Sequence, residues 1–250
     1  MISRYASLRQ GLLGAWCPSL GASGFRLIDR SGYGNHGTLT NMESTDWVAS
    51  GGLGALDFDG VNDQITSTVP IPSASITFSA WIYIRTLDST FRYICGVQNS
   101  GLDGGRMLRI NSSNQMQFEI IGSSVKDVNG VTLTTNKWIH IVGVKNDSES
   151  SAYLYQDGNQ VGSVSLTGVT YSAVLSNFKI AARPDASSNY FNGQLDDIRL
   201  YTRALTPAEI QLLYTGGRGV GLTPERIKHR RKTTAAATNR RRRILIGASL

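Results

Sequence analysis

Short apolar runs broken by Gly, Asn, Asp and Ser recur along most of the chain at intervals of about 8 to 15 residues, the spacing of antiparallel strands joined by turns. In SITFSAWIYI, Ile76, Phe78, Ala80, Ile82 and Ile84 alternate with Thr77, Ser79, Trp81 and Tyr83. Successive side chains of a strand point to opposite faces, so this segment lays an aliphatic set on one face and predicts a core strand. KWIHIVGVKN, Lys137 to Asn146, is apolar on both faces near its middle, which predicts a central strand covered on both sides. In SAYLYQDGNQVGSVSL the pair Asp157-Gly158 lies between two alternating runs. These residue types supply the positive φ of a tight turn, so a β-hairpin is predicted.

One segment carries a full helix start signal. Thr206 is placed as N-cap, Pro207 at the first helical position and Glu209 three residues after the cap, the arrangement of a capping box. Ile210, Leu213 and Tyr214 then share a side, and Gly216-Gly217 ends the helix. The device half repeats at Thr223-Pro224-Glu225, where a short basic helix to about Lys232 would have almost no apolar face to dock. Thr233 to Asn239 reads as a spacer. After Arg240 to Arg243 the sequence ends in ILIGASL.

Composition narrows the class. With 250 residues, 40% hydrophobic, 17% charged and 27 glycines, the chain is neither a coiled coil nor a disordered polymer, and a core can form without a disulfide scaffold. No run approaches 18 apolar residues, and Arg9 interrupts the stretch where a signal peptide would place its apolar segment. Neither a membrane partner nor a signal peptide is therefore expected. Cys17 and Cys95 lie far apart with no CxxC, so two buried free thiols are expected rather than zinc or redox chemistry. The net charge of +7 is unevenly placed: residues 1–215 hold 15 Lys+Arg and 17 Asp+Glu, whereas residues 216–250 hold 10 basic residues and the single acid Glu225. Any partner of the positive charge belongs at the C-terminus.

Several segments, in order, resemble the laminin G-like, concanavalin A-like jelly-roll family. GLLGAWCPS is similar to its first strand, and DRSGYGNHGTL (Asp29 to Leu39) to its Asn-Gly-rich loop. ALDFDGVNDQI (Ala55 to Ile65), SITFSAWIYI with its near-central Trp, and NKWIHIVGV are similar to later strands, and YFNGQLDDIRLYTRALTPAEIQLLY (Tyr190 to Tyr214) to the closing strand and helix. The resemblance covers about residues 10 to 215. It implies an all-β, two-sheet antiparallel jelly-roll β-sandwich with one short C-terminal helix and says nothing about residues 216–250; the expected division is a sandwich over 1–215 and, from the charge of the basic extended tail, a docking arm over 216–250. Such scaffolds are binding domains in most relatives and glycosidases in some.

Glycoside hydrolysis needs paired carboxyl groups, about 5 to 5.5 Å apart for retention or about 6.5 to 9.5 Å for inversion. Asp57 and Asp59 share a strand face at a spacing of roughly 7 Å, which permits an inverting pair. The alternative is that they satisfy backbone donors in the turn before Gly60. The Glu-x-Asp-x-Glu strand of laminarinase-type relatives is absent, and the glutamates before residue 216 are the scattered Glu43, Glu119, Glu149 and Glu209. No enzymatic activity is expected. His36, His140 and His229 sit in no nucleophile elbow, Cys/His pairing or HExxH helix. His140 reads as a half-buried strand residue and His36 as a loop hydrogen-bonder, and no phosphate-binding GxxxxGK[ST] loop occurs.

Calcium takes six to eight oxygens from carboxylates, amides and carbonyls. The resemblance implies a structural Ca2+ site at Asp29 and Asn35 of the Asn-Gly-rich loop with Asp196 or Asp197. The alternative is that Asp29 accepts bonds within its turn and Asp197 pairs with Arg199. For glycan binding at the loop rim, Tyr33, Tyr171 and Tyr190 could stack on sugars or serve as packed loop anchors.

The basic tail invites two readings. Its cations could neutralise phosphates of nucleic acid, but no aromatics are interleaved for stacking. The apolar end suits addition to another protein's sheet edge or groove. A docking arm is therefore expected, with Arg230, Arg231, Lys232 and Arg240, Arg241, Arg242 and Arg243 on an acidic surface and Ile244, Leu245 and Ile246 inserted. A laminin G-like module without an export signal but with an assembly-like tail suggests a virion protein, made in the host cytoplasm and displayed on a capsid or tail lattice as part of a large assembly. A free-standing lectin-like binder is the competing expectation, ahead of a glycosidase or a nucleic-acid-tethered protein.

Overall fold

The structure, a computed structural model, describes residues 5–98, 104–171, 175–185 and 188–222. The predicted basic helix, the spacer, His229 and all the docking residues from Arg230 to Ile246 lie outside the described residues. The described strands are β1 (Leu12–Trp16), β2 (Arg26–Leu27), β3 (Gly37–Thr40), β4 (Trp47–Ser50), β5 (Leu53–Asp59), β6 (Gln64–Ile71), β7 (Ile76–Ile84) and β8 (Arg92–Val97). They continue as β9 (Arg106–Ile110), β10 (Gln115–Ile121), β11 (Val125–Thr132), β12 (Trp138–Asn146), β13 (Ser151–Gln156), β14 (Asn159–Ser165), β15 (Leu175–Ile180) and β16 (Asn192–Tyr201), followed by the helix α1 (Pro207–Gly216). The first sheet runs β14-β13-β12-β7-β16-β5-β4, with β1 also on β16, and the second runs β11-β10-β9-β8-β15-β6-β3-β2. Every pairing among the named strands is antiparallel. The jelly-roll sandwich implied by the resemblance is the observed fold.

The predicted strands form where the pattern placed them. SITFSAWIYI is β7, whose Ile76, Phe78, Ala80, Ile82 and Ile84 enter the core between the sheets. KWIHIVGVKN supplies β12, an interior strand between β7 and β13. The hairpin β13–β14 turns on Asp157 (φ 49) and Gly158 (φ 80), the two consecutive positive angles that a tight hairpin requires. Aromatic rings link the layers: Trp16 stacks on Phe178 at 4.9 Å, and Phe178 on Phe78 at 6.0 Å.

A second apolar cluster lies on the outer surface of the first sheet. Val142, Val144, Tyr155 and Tyr201 meet Leu8, Leu205, Ile210 and Leu213 there, so α1 is a cover rather than an appendage. Thr206 Oγ1 accepts the Glu209 N–H at 3.3 Å, and the Glu209 carboxylate accepts the Thr206 N–H at 3.0 Å, the predicted capping box. His140 is more deeply placed than its alternation implied. It is 1% exposed, with Nε2 3.0 Å from Ser79 Oγ and its ring grouped with those of Trp81 and Tyr214. Burial pushes its pKa down to about 3, so it stays neutral.

The packed body also passes the expected boundary at 215. Val220 and Leu222 are buried in the cluster under α1, and the Arg218 guanidinium lies over the Trp138 ring at 4.2 Å. Residues 217–222 thus form a strap against the first sheet. Cys17 and Cys95 are both free and buried. Among the described residues, no helix is long and apolar enough to cross a membrane.

Candidate functional site

The outer surface of the second sheet is where polar alternation leaves side chains toward solvent. Backbone register aligns Arg26 with Thr38, Thr38 with Thr66, and Thr66 with Lys179. One row of side chains therefore crosses β2, β3, β6 and β15, about 14 Å from end to end at the usual strand spacing. Thr68 and Asn177 are paired near the next row. With Gly34, Asn35 and His36 of the preceding loop, these residues line a trough of about 470 Å³. Tyr33, 71% exposed, belongs to the same loop.

The loop is fixed from behind by Asp29. Its Oδ1 accepts the N–H groups of Ala15 and Ser31, and its Oδ2 accepts the Ser31 hydroxyl and the Asn35 N–H. The Asn35 carbonyl accepts Trp16 Nε1 at 2.8 Å and Ser67 Oγ at 2.9 Å. His36 Nδ1 accepts the Asp29 N–H at 3.0 Å, which places the ring proton of the neutral form on Nε2. His36 is the loop hydrogen-bonder expected from its sequence context, and it presents its ring to the trough as well.

The two halves of this sheet surface differ in how their polar groups are spent. Across β8 to β11, Arg109 donates to Gln117 at 2.6 Å and to the Tyr93 hydroxyl at 2.9 Å, and pairs with Glu119 at 2.6 Å. Gln117 in turn donates to Asn129 at 2.7 Å. Across β2 to β15 the side chains of Arg26, Thr38, Thr66, Thr68, Asn177 and Lys179 make no hydrogen bond or ion pair with the described residues. Donors and acceptors left unspent in a depression are what an external polar ligand needs.

The residues singled out for calcium do not form one site. All four lone-pair directions of the Asp29 carboxylate are filled by the donors above. Asp196 and Asp197 lie at a bulge in β16, where Asp197 takes a φ of 48. There the strand edge passes from β5, paired to Asn192–Leu195, to β1, paired to Ile198–Tyr201. Asp197 accepts Arg199 Nε and Nη2 at 2.7 and 2.8 Å and the Gly219 N–H at 2.8 Å. Asp196 Oδ1 accepts the N–H groups of Ser19 and Asp197. These contacts sew the strap and the turn after β1 to β16. Together they do not fit a calcium ligand set, and among the described residues no cluster of three or more His, Cys, Asp or Glu has metal-holding geometry.

Asp196 is fully buried, and its Oδ2 has no hydrogen-bond donor, with Arg218 Nη1 at 3.5 Å. Burial, then the charge of Asp197, pushes its pKa up to about 6. A carboxyl whose folded pKa exceeds its unfolded value, about 3.9, costs stability as pH rises between the two. Asp63, also pushed up to about 6 by burial, acts in the same sense. Asp196→Asn is expected to raise stability at pH 7 by on the order of 1 to 3 kcal/mol and leave it little changed at pH 4, read from urea midpoints.

The other expected residues disperse. Tyr171 packs under Lys145 Nζ, 4.3 Å from the ring centre, with its hydroxyl buried, so it is a loop anchor and not an exposed stacking surface. It lines a separate hollow beyond the end of β6, with Ser73 and Asp147. Tyr190 is half-buried near the opposite end of β6, its carbonyl accepting from Arg92, which also reaches Gly60. Only Tyr33 adjoins the trough. Asp57 is paired with Arg85, and Asp59 accepts the Val61 and Asn62 N–H groups in the turn, the structural alternative to catalysis.

Comparison with known proteins agrees with this architecture. A family model described as the concanavalin A-like lectin/glucanases superfamily, of laminin G type, matches residues 59–211. The adhesion G-protein coupled receptor V1 of Danio rerio is 27% identical over 178 residues, 65% of this chain but 3% of the receptor. Among solved structures, the botulinum neurotoxin serotype D binding domain has a TM-score of 0.68 at 16% identity, covering 86% of this chain and 53% of that one. The binding domain of Paraclostridial Mosquitocidal Protein 1 gives 0.65 at 16%, covering 83% and 52%. Trypanosoma rangeli sialidase in complex with the inhibitor DANA gives 0.58 at 19%, covering 81% and 32%. The chain thus spans about half or less of these chains, and the structural likenesses bear on fold alone.

Proposed function

The chain belongs to the concanavalin A-like lectin/glucanase superfamily, and from that membership we propose that it is a non-catalytic binding module holding carbohydrate in the trough of the second sheet. The observation that carries this reading is the unspent lining: hydroxyls of Thr38, Thr66 and Thr68, the Asn177 amide and the His36 ring converge on one depression. Sugars are recognised by such amides and hydroxyls with an aromatic face nearby, and the exposed Tyr33, next to the lining residue Gly34, is the aromatic within reach of the loop rim. No carboxylate lines the trough, so it holds no acid/base pair for glycoside cleavage. Two of the solved structures of similar fold are binding domains, which supports binding without turnover. Thr66→Trp fills the floor of the trough from a solvent-facing position. Retention on a glycan array is expected to fall at least tenfold with the circular dichroism spectrum unchanged; undiminished retention would overturn the assignment.

We further propose that residues 223–250 attach this module to a capsid or other lattice protein of a virion. Nine basic residues against the single acid Glu225, followed by ILIGASL, favour an acidic protein surface with an apolar groove or free strand edge.

A further inference from the structure

We infer that the trough takes an anionic group, so that its sugar ligand is acidic, carrying a carboxylate or a sulfate. This rests on the carbohydrate reading above and adds the charge of the ligand. Within the described body, Arg85 pairs with Asp57, Arg92 with Asp88, Arg109 with Glu119, Arg183 with Asp185, Arg199 with Asp197 and Arg203 with Glu209, whereas Arg9, Arg30, Arg106, Lys126 and Lys137 make no ion pair. Arg26 and Lys179 are also without an ion pair, and their placement sets them apart. They stand at the two ends of one backbone row, Arg26–Thr38–Thr66–Lys179, and both line the trough, whose lining holds no carboxylate. The charge of Asp185 reaches Lys179, but that carboxylate is held by Arg183 through two bonds of 2.6 and 3.0 Å, and Asp29 behind the loop is filled by four donors.

The lining therefore offers a cation from each side and neutral donors between. The Arg26 fork can bind a carboxylate or sulfate through two parallel bonds, and Lys179 acts as a point charge opposite. The His36 Nε2–H, the Asn177 amide and the threonine hydroxyls are left for the ring hydroxyls. A neutral sugar would leave both cations unmatched, whereas an acidic one uses the whole lining.

The test is an array of neutral, carboxylated and sulfated oligosaccharides probed with the full chain, with Arg26→Ala, with Lys179→Ala and, because the tail is itself basic, with Arg240 to Arg243→Ala. Both trough positions are at the surface, so the variants keep the fold; Lys179→Arg serves as the conservative control. Retention on acidic glycans is expected to fall at least tenfold in each trough variant, to survive in Lys179→Arg and in the tail variant, and to weaken with added salt. Which acidic class is retained distinguishes carboxylate from sulfate. Equal retention of neutral glycans, insensitive to both trough substitutions, overturns the acidic inference and leaves the carbohydrate reading standing. Loss confined to the tail variant also overturns it, and no retention on any glycan overturns both.

Discussion

Asp197→Ala should cost roughly 3 to 5 kcal/mol, read as a shift in the urea midpoint with the slope unchanged. Arg199 is 1% exposed, and its guanidinium is held by both oxygens of Asp197 at 2.7 and 2.8 Å. Taking the carboxylate away leaves a buried cation with only the Val220 carbonyl, accepting at 2.6 Å. The Gly219 N–H loses its acceptor as well. The double variant Asp197→Ala with Arg199→Met should recover a large part of that loss, because removing both charges removes the desolvation cost that one alone would carry. If the single variant costs under 1 kcal/mol, the seam between β5 and β1 is not held by this pair.

Ending the chain after Thr215 should be at least as damaging, by on the order of 5 kcal/mol, whereas ending it after Leu222 should leave thermal stability within about 1 kcal/mol of the full chain. The strap 217–222 accounts for the difference. It buries Val220 and Leu222 over the outer cluster, and it supplies Arg218 opposite Asp196 and the Gly219 N–H to Asp197. The pair of truncations also decides how attachment is tested. Removing residues 223–250 should abolish incorporation into particles while preserving glycan retention. Unchanged incorporation would refute the docking role, and a deletion beginning at 216 would confuse docking with unfolding.

The architecture was legible where a single strand carries its own periodicity. Ile76 to Ile84 alternates cleanly, Asp157-Gly158 marks its turn, and Thr206-Pro207 with Glu209 marks its helix, because the physics of each is local. The boundary at 215 followed the helix end at Gly216-Gly217 and the change in charge, and the packed body runs past it to Leu222. The value of the strap lies in contacts with β16 that no local pattern reveals. The trough was largely hidden for the same reason. Arg26, Thr66 and Lys179 are brought together only by strand register, and polar residues at alternate strand positions look like ordinary solvated faces. The Asn-Gly-rich loop did stand out, and Asn35 and Tyr33 lie at or beside the trough, but Asp29 proved to be the loop's internal anchor. Asp197 pairs with Arg199, the alternative that the sequence left open.

The packing of Tyr5 against the strap has a geometric consequence. The position a Cβ would take on Gly221 lies 3.1 Å from Tyr5 Cβ, so the first and last parts of the described chain emerge side by side over the outer surface of the first sheet, while the trough opens on the second. A neighbour joined directly at Tyr5 or at Leu222 would start from the face opposite the trough. The sandwich can be spliced into a longer polypeptide, or tethered by one end, with its ligand face still turned outward.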